Sequence, residues 1–215
     1  MTRPDFELAR LDLSSREQLN DIATVATRAF QFDPFFVYLS AHPLIRARGL
    51  ALFWRSQMAA LRDRGEGYGA RGPDGRLLGV AVWLPPGTYP LPVRLQLRQA
   101  MGALRALVLR PKALVDGSRY LLAIEKAHPD EAVWYLNLLV TEPAVQRSGI
   151  GSALQQAVLE RADLEAVPCY LETQNFDNLA YYRRFGYEVV EELRPVAGGP
   201  PLWTMRREPR PGPSA

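Results

Sequence analysis

The chain has one cysteine, Cys169, two histidines, His42 and His128, and two lysines, Lys112 and Lys126. Each scarcity excludes something. A lone cysteine closes no internal disulfide, and with so few cysteines and histidines no metal site is expected. A reducing cytoplasm is the expected location. No apolar run approaches the ~18 residues of a membrane span, and the opening MTRPDFELARLDLS lacks the unbroken apolar segment of a secretion signal. A soluble, unprocessed protein with no membrane partner is therefore predicted. With lysine nearly absent, arginine supplies the positive charge, for a net +3 and a pI of about 9.2. That mild excess suits phosphate-bearing ligands, but no lysine-arginine tract or reader motif points to nucleic acid.

What is present fits one substantial core. The 215 residues are 47% hydrophobic, and the reading is a single domain over residues 1–208, with a helical insertion at about 91–127 and a disordered tail at 209–215. FELARLD alternates as a first strand, and SSREQLNDIATVATRAF offers a Ser14 or Ser15 cap with Glu17 in the first turn. A second helix is predicted from about Leu44 to Arg64, then a hairpin around Pro73-Asp74-Gly75 whose second strand stops at Pro85. Two or three arginine-rich helices follow, interrupted at LRPKAL and DGS. EAVWYLNLLV reads as a central strand covered on both faces. A helix to about Ala162, a strand at PCYLET, a helix from near Asn178 and a closing pair, YEVVEEL and PLWTMRR, complete the chain.

The segment LLVTEPAVQRSGIGSALQQAVLE passes from strand through a proline turn to two glycines and into a helix. Without a Cβ, Gly149 and Gly151 let main-chain N–H groups approach a bulky anion at a helix N-terminus, where the helix dipole adds positive potential. Gln146 and Arg147 add donors at the rim, and Ser148 or Ser152 a hydroxyl. A tight connection with glycines for packing alone is the competing reading. A Walker loop requires Gly-Lys-Ser/Thr, which SGIGSAL lacks. A Rossmann turn requires its first glycine directly after the strand, yet Thr141 to Ser148 intervene and Leu154 stands at the third position.

This segment resembles the acyl-CoA signature of the GNAT (GCN5-related N-acetyltransferase) family, Gln/Arg-x-x-Gly-x-Gly/Ala after a strand, with Gln146, Gly149 and Gly151 matching. YLETQNFDNLAYYRRFGYEVV is similar to that family's following strand, helix and return strand, and the order through PPLWTMRR looks most like the puromycin N-acetyltransferase-like branch. The resemblance covers residues 131–207. It implies a GNAT fold in the α+β class: a mixed, mostly antiparallel twisted sheet of six to seven strands, helices on both faces and a splayed parallel strand pair.

The resemblance further implies acetyl-CoA as co-substrate and acetyl transfer to the primary amine of a small molecule. The pyrophosphate is expected on the amides of residues 146–151. Main-chain groups of Leu138 and Val140 are expected along the pantetheine arm, which Asn178 bonds if it does not cap its helix. Tyr182 is the candidate acid for the departing thiolate, with Tyr181 as the fallback, and Glu172 the candidate base. An aromatic acceptor pocket is assigned to Phe32, Phe35, Phe36, Tyr38 and Trp83. Cys169 reads as a small buried residue, His128 as a loop residue and His42 as a helix entry. The arginines at 94, 98, 105, 110 and 119 read as a solvated face. Protein or peptide N-acetylation and a non-catalytic acyl-CoA module are the competing functions. A homodimer through strands near the C-terminus stays open.

Overall fold

The computed structural model describes residues 4–62, 64–92, 94, 95 and 111–210. A seven-stranded sheet in the order β1-β2-β3-β4-β5-β7-β6 forms its middle. The strands are β1 Glu7–Leu11, β2 Glu66–Arg71, β3 Leu77–Leu84, β4 Trp134–Thr141, β5 Cys169–Thr173, β6 Glu188–Leu193 and β7 Leu202–Arg207. Every neighbouring pair is antiparallel except β4 with β5.

The two-residue period of the central strands divides two cores. Val80, Val82 and Leu84 of β3 join one, and Ala81 and Trp83 the other. Helices α1 Arg16–Ala29 and α3 Pro43–Leu61 cover the first face with Ile22, Val25, Leu50, Trp54 and Met58. Helix α5 Ile150–Leu164, with α6 Asp177–Arg183, covers the second with Ile150, Leu154, Val158 and Leu179. Ser15 caps α1, its side chain accepting from the Gln18 amide, and His42 enters α3 ahead of Pro43.

The fold class is as the sequence implied, and two elements differ in detail. A short helix, α2 Pro34–Leu39, stands where none was expected; Asp33 caps it, accepting from the Phe35 amide at 3.0 Å, and Pro34 presets its first turn. Helix α4 runs unbroken from Pro111 to Ala127 through the Asp116-Gly117-Ser118 step read as an interruption. Asp116 is buried there and receives Lys112 Nζ at 2.6 Å and the Tyr38 hydroxyl at 2.8 Å, so a residue that favours turns is held inside a helix. The expected arginines at 98, 105 and 110, with most of the remaining insertion, lie outside the described residues. Toward the C-terminus the Arg210 amide donates to Asp163 at 2.7 Å, so the chain is tied down to that residue.

One irregularity shapes the sheet's centre. Val82 stands opposite Leu138 and Trp83 opposite Leu136, which leaves Asn137 without a partner on β3 as a β-bulge. On the other side, β4 pairs with β5 only at Trp134–Cys169 and Tyr135–Tyr170. The bulge turns β4 away from β5 at that point. Past Tyr135 the two strands diverge and leave a wedge between Leu136–Leu139 and Glu172–Thr173.

Candidate active site

The wedge opens into a cavity of about 510 Å³, continuous from the Asn137 bulge to an aromatic chamber. Leu136, Asn137, Thr173, Asn178 and Tyr182 line the wedge end. Phe30, Phe36, Phe53, Trp54 and Tyr120 line the chamber. Helix α4 contributes Leu114, Gly117, Leu121 and Ile124 to the chamber wall.

The register of β4 decides which peptide groups face the wedge. Thr141 stands opposite Gly79 while the Glu142 amide donates to Leu78 O at 2.8 Å, so 141–79 is a non-hydrogen-bonded pair. By alternation Leu138 and Val140 present both peptide groups to β3, and Leu139 and Thr141 present theirs to the open side. This corrects the expectation that Leu138 and Val140 carry main-chain bonds into the wedge. A strand's hydrogen-bonding parity depends on its pairing partner, which lies some 60 residues away in the chain.

At the end of β4 a 3-10 turn, Pro143–Val145, leads to Gln146. The Gln146 amide reaches back to Pro143 O at 3.5 Å, and its side chain to Thr141 O at 3.4 Å. Arg147 and Gly149 then take positive φ, 63° and 93°. Glycine suits the second position because it adopts the left-handed region without strain. Gly149 is the N-cap of α5, and the first amide to find an intrahelical carbonyl is that of Ala153, bonded to Gly149 O at 3.0 Å. Among the described residues no main-chain carbonyl accepts from the amides of Gly149, Ile150 or Gly151. The Ser148 hydroxyl donates to Val145 O at 2.6 Å and braces the turn. The buried Glu142 carboxylate is paired with Arg28 of α1, which anchors the loop's entrance.

Gly151 has a second reason to be glycine: a Cβ there would stand 2.8 Å from the Tyr181 hydroxyl. That hydroxyl accepts from Gln155 Nε2 at 2.9 Å and packs its ring under Arg184. Tyr181 thus fastens α6 to α5. Tyr182, one residue on, lines the cavity and is 8% exposed. Burial, then the neighbouring Tyr181, holds its phenol well above the ordinary tyrosine range. Asn178 lines the cavity and donates to Thr173 Oγ1 at 3.1 Å. The cap on α6 comes from Asn175, whose Oδ1 accepts from the Asp177 amide at 3.1 Å; sequence reasoning passed over Asn175.

Glu172 closes the cavity at the junction of wedge and chamber, its side chain only 5% exposed. The tyrosine hydroxyls of Tyr135 and Tyr170 reach it, and His128 stands beside it with Nδ1 to Oε1 4.0 Å, too long for a hydrogen bond. Both atoms are buried without a hydrogen-bond partner. His128 sits among the rings of Tyr89, Tyr135 and Tyr170 at 4.0, 4.9 and 5.0 Å. Burial, and next the Glu172 charge, raise the hydroxyls of Tyr135 and Tyr170. His128 is a loop residue, as read from the sequence, but one sealed against the carboxylate, a placement no local pattern announces.

Of the five aromatics assigned to an acceptor pocket, Phe35 and Phe36 line the chamber. Phe32 is 79% exposed, Tyr38 turns its hydroxyl to Asp116, and Trp83 is buried in the core beneath α5. Cys169 is fully buried at the first position of β5 and its thiol is pushed up to about 12, chiefly by burial. It holds no position on the cavity. Among the described residues no group of three or more histidine, cysteine, aspartate or glutamate side chains is arranged to hold a metal ion, and no helix is long and apolar enough to cross a membrane.

Residues 114–189 match the model of the acetyltransferase (GNAT) domain family. This stretch contains β4, the glycine turn, α5, β5 and α6, the elements that form the wedge. Solved structures carry the likeness over the whole chain. A histone acetyltransferase HPA2 and related acetyltransferase from Corynebacterium glutamicum superposes with a TM-score of 0.69 at 22% identity, covering 98% of this chain and 99% of that one. A polyamine N-acetyltransferase from Drosophila melanogaster gives 0.60 at 13%, covering 95% and 100%. The ribosomal-protein-S18-alanine N-acetyltransferase of Escherichia coli gives 0.55 at 13%, covering 97% of each. The chain has the GNAT fold.

Proposed function

We propose that the protein is an N-acetyltransferase that moves the acetyl group of acetyl-CoA to the primary amine of a small molecule. The observation that carries this reading is the single cavity that joins the splayed β4–β5 wedge to an enclosed chamber, with Tyr182 and Glu172 in its wall. Residues of the site fit the coenzyme. The carbonyl-free amides of Gly149, Ile150 and Gly151 at the start of α5 suit a diphosphate, and the outward peptide groups of Leu139 and Thr141 suit an amide-bearing arm. The rim groups of Gln146, Arg147, Ser148 and Ser152 stand at the same turn.

Acetyl-CoA supplies an acyl group activated as a thioester. The chain's residues supply the remainder. The Leu139 N–H faces the wedge, where it can stabilise charge developing on the acyl oxygen. Glu172 takes the proton that the bound ammonium must lose before its nitrogen can attack, and the second proton, released as the N–C bond forms, returns to the Tyr182 oxygen after that has protonated the sulfur. As the C–S bond breaks, the sulfur takes a proton from the Tyr182 hydroxyl, which burial keeps protonated at neutral pH.

The polyamine enzyme and the ribosomal-protein enzyme among the structural relatives mark the two acceptor classes. The small-molecule class is favoured here because α4 and α2 wall the chamber, where a protein terminus needs an open groove. Acetyl-CoA binding tests the reading: a ligand at a hundred times its Kd should stabilise the fold by about 2.7 kcal/mol, read as a rise in Tm. No rise at millimolar acetyl-CoA would remove both the enzyme and the acyl-CoA-binding module. Binding without acyl transfer to any amine would leave the module.

A further inference from the structure

We infer that the acceptor is a monoamine with an apolar, ring-sized body: its ammonium meets Glu172, and its body fills the box of Phe30, Phe36, Phe53 and Trp54. The inference rests on the acetyl-transfer reading only in taking the chamber as the acceptor's.

Charge carries the first half. Glu172 is a carboxylate with its side chain 5% exposed, one oxygen lacking a hydrogen-bond partner and, among the described residues, no arginine or lysine paired with it. A buried anion left in this state is costly, and the cost falls when a cation arrives to share the site. The Tyr135 and Tyr170 hydroxyls interact with this carboxylate, but both are neutral donors and leave its charge unbalanced. Glu125, at the same end of the cavity, adds a second negative group. Among the described lining residues Arg46 is the one cation, and it is turned to main-chain carbonyls: Nε donates to Gln31 O at 2.6 Å, and Nη1 to Ser40 O at 2.5 Å and Ala41 O at 3.0 Å. It does not oppose a cationic ligand at Glu172.

The walls carry the second half. Phe30 stacks on Trp54 with centroids 4.9 Å apart, Phe36 meets both, and Phe53 meets Phe36 and Trp54 at 5.7 and 5.1 Å. Two of the polar groups around this box are already committed to the protein, while Trp54 Nε1 and Ser40 Oγ are buried without a partner. Asp33 caps α2, and the Tyr120 hydroxyl donates to Pro200 O. A polyhydroxylated or polycationic amine would lose more hydration along the ring faces than these two atoms can restore, whereas an aryl or alkyl body gains by leaving water. The box selects the body and the carboxylate selects the head.

Three probes test this on the chain without coenzyme: 4-phenylbutylamine, its isosteric alcohol 4-phenylbutan-1-ol, and spermidine, each titrated by thermal shift near neutral pH. The arylalkylamine should raise Tm and bind at least tenfold more tightly than the alcohol and than spermidine. Glu172→Gln should bring its affinity down to the alcohol's. If that variant does not fold, the amine-to-alcohol ratio on the native chain decides alone. Equal binding of amine and alcohol, or spermidine binding as well as the arylalkylamine, would overturn the inference. Absence of acetyl-CoA binding beside an intact amine preference would instead end the acetyltransferase reading and leave this binding site standing.

Discussion

The two ends of the cavity were built from sequence in opposite ways. The β4 wall of the wedge and the glycine turn beyond it come from one uninterrupted stretch, Leu136 to Ser152, in which strand, proline turn, glycines and helix follow one another in the order they occupy in space. The chamber is gathered from Phe30 on the 3-10 turn after α1, Phe36 on α2, Trp54 on α3, Tyr120 on α4 and Glu172 on β5. A contiguous site is specified by local backbone requirements, such as the positive φ of Gly149. A gathered site is specified by how helices pack. The first kind tolerates few substitutions and the second many, and that contrast can be put to measurement.

The largest effect should come where the two ends meet. Tyr182→Phe removes one hydroxyl from a buried ring whose packing against Tyr181 and Tyr187 stays intact. Turnover should fall about 10² to 10⁴-fold, the usual contribution of a positioned acid, while the Kd for acetyl-CoA stays the same. An unchanged kcat would transfer the acid role to Tyr181 or to solvent.

Next comes the loop's own backbone. Gly149 has φ 93°, where an ordinary L-residue costs roughly 1–2 kcal/mol and a β-branched one more. Gly149→Val should weaken acetyl-CoA at least tenfold and lower Tm by several degrees. Gly149→Asn, which tolerates left-handed backbone, should lose less of both. Arylalkylamine binding in the chamber should not change. Equal losses at both ends for the valine variant would mean that the cavity behaves as one unit.

A smaller effect is expected behind the loop. Asp163 on α5 receives two bonds from the buried Arg207, at 2.8 and 2.7 Å, and one from the Arg210 amide. The Arg207 bonds hold its carboxyl below the ordinary carboxylate range. Because the folded value is the lower one, the pair stabilises the fold above the unfolded pKa of ~3.9. That contribution is lost as pH falls through the folded value. Asp163→Asn should cost about 1–2 kcal/mol at neutral pH, allowing for the partial exposure of the pair. The Tm difference from the native chain should stay flat between pH 6 and 8 and shrink below pH 4. A difference that widens in acid would put the stabilising charge elsewhere.

The same division explains what could be read from the sequence. Alternation located β1, helical spacing α1, turn residues the β2–β3 hairpin, a nearly continuous apolar run β4, and the glycine spacing the turn before α5, because all of these are short-range constraints. Leu138 and Val140 were put one residue out of phase because the parity of a strand is set by its partner, and the Asn137 bulge cannot be seen until β3 is aligned beside it. Trp83 was placed in the acceptor pocket as one of several aromatics near the cleft mouth, yet alternation sends its side chain into the opposite core. Trp54 reads as ordinary helix core until Phe30 and Phe36 arrive from the 3-10 turn after α1 and from α2. The His128–Glu172 contact joins residues 44 positions apart through the packing of three tyrosines, and neither residue's neighbours in the chain mark it.

The adjacent tyrosines allow the finest test. Tyr181 and Tyr182 differ in the chain by one position, about 100° around a helix, and the structure gives them different neighbours. The Tyr181 hydroxyl accepts from Gln155 Nε2 at 2.9 Å, and Gln155 is fully buried with its Oε1 already unpartnered. Tyr181→Phe strands a buried amide donor, which costs about 1–3 kcal/mol. The phenyl ring keeps its contacts with Tyr182 and Phe185, so the lower part of that range is expected. A fall in Tm of a few degrees with kcat within twofold of the native enzyme would mark Tyr181 as a fastening between α5 and α6. A fall in kcat as large as that of Tyr182→Phe, at unchanged coenzyme affinity, would mean that the proton reaches the sulfur through both hydroxyls. The separation of the helix-fastening residue from the reacting one would then have to be abandoned.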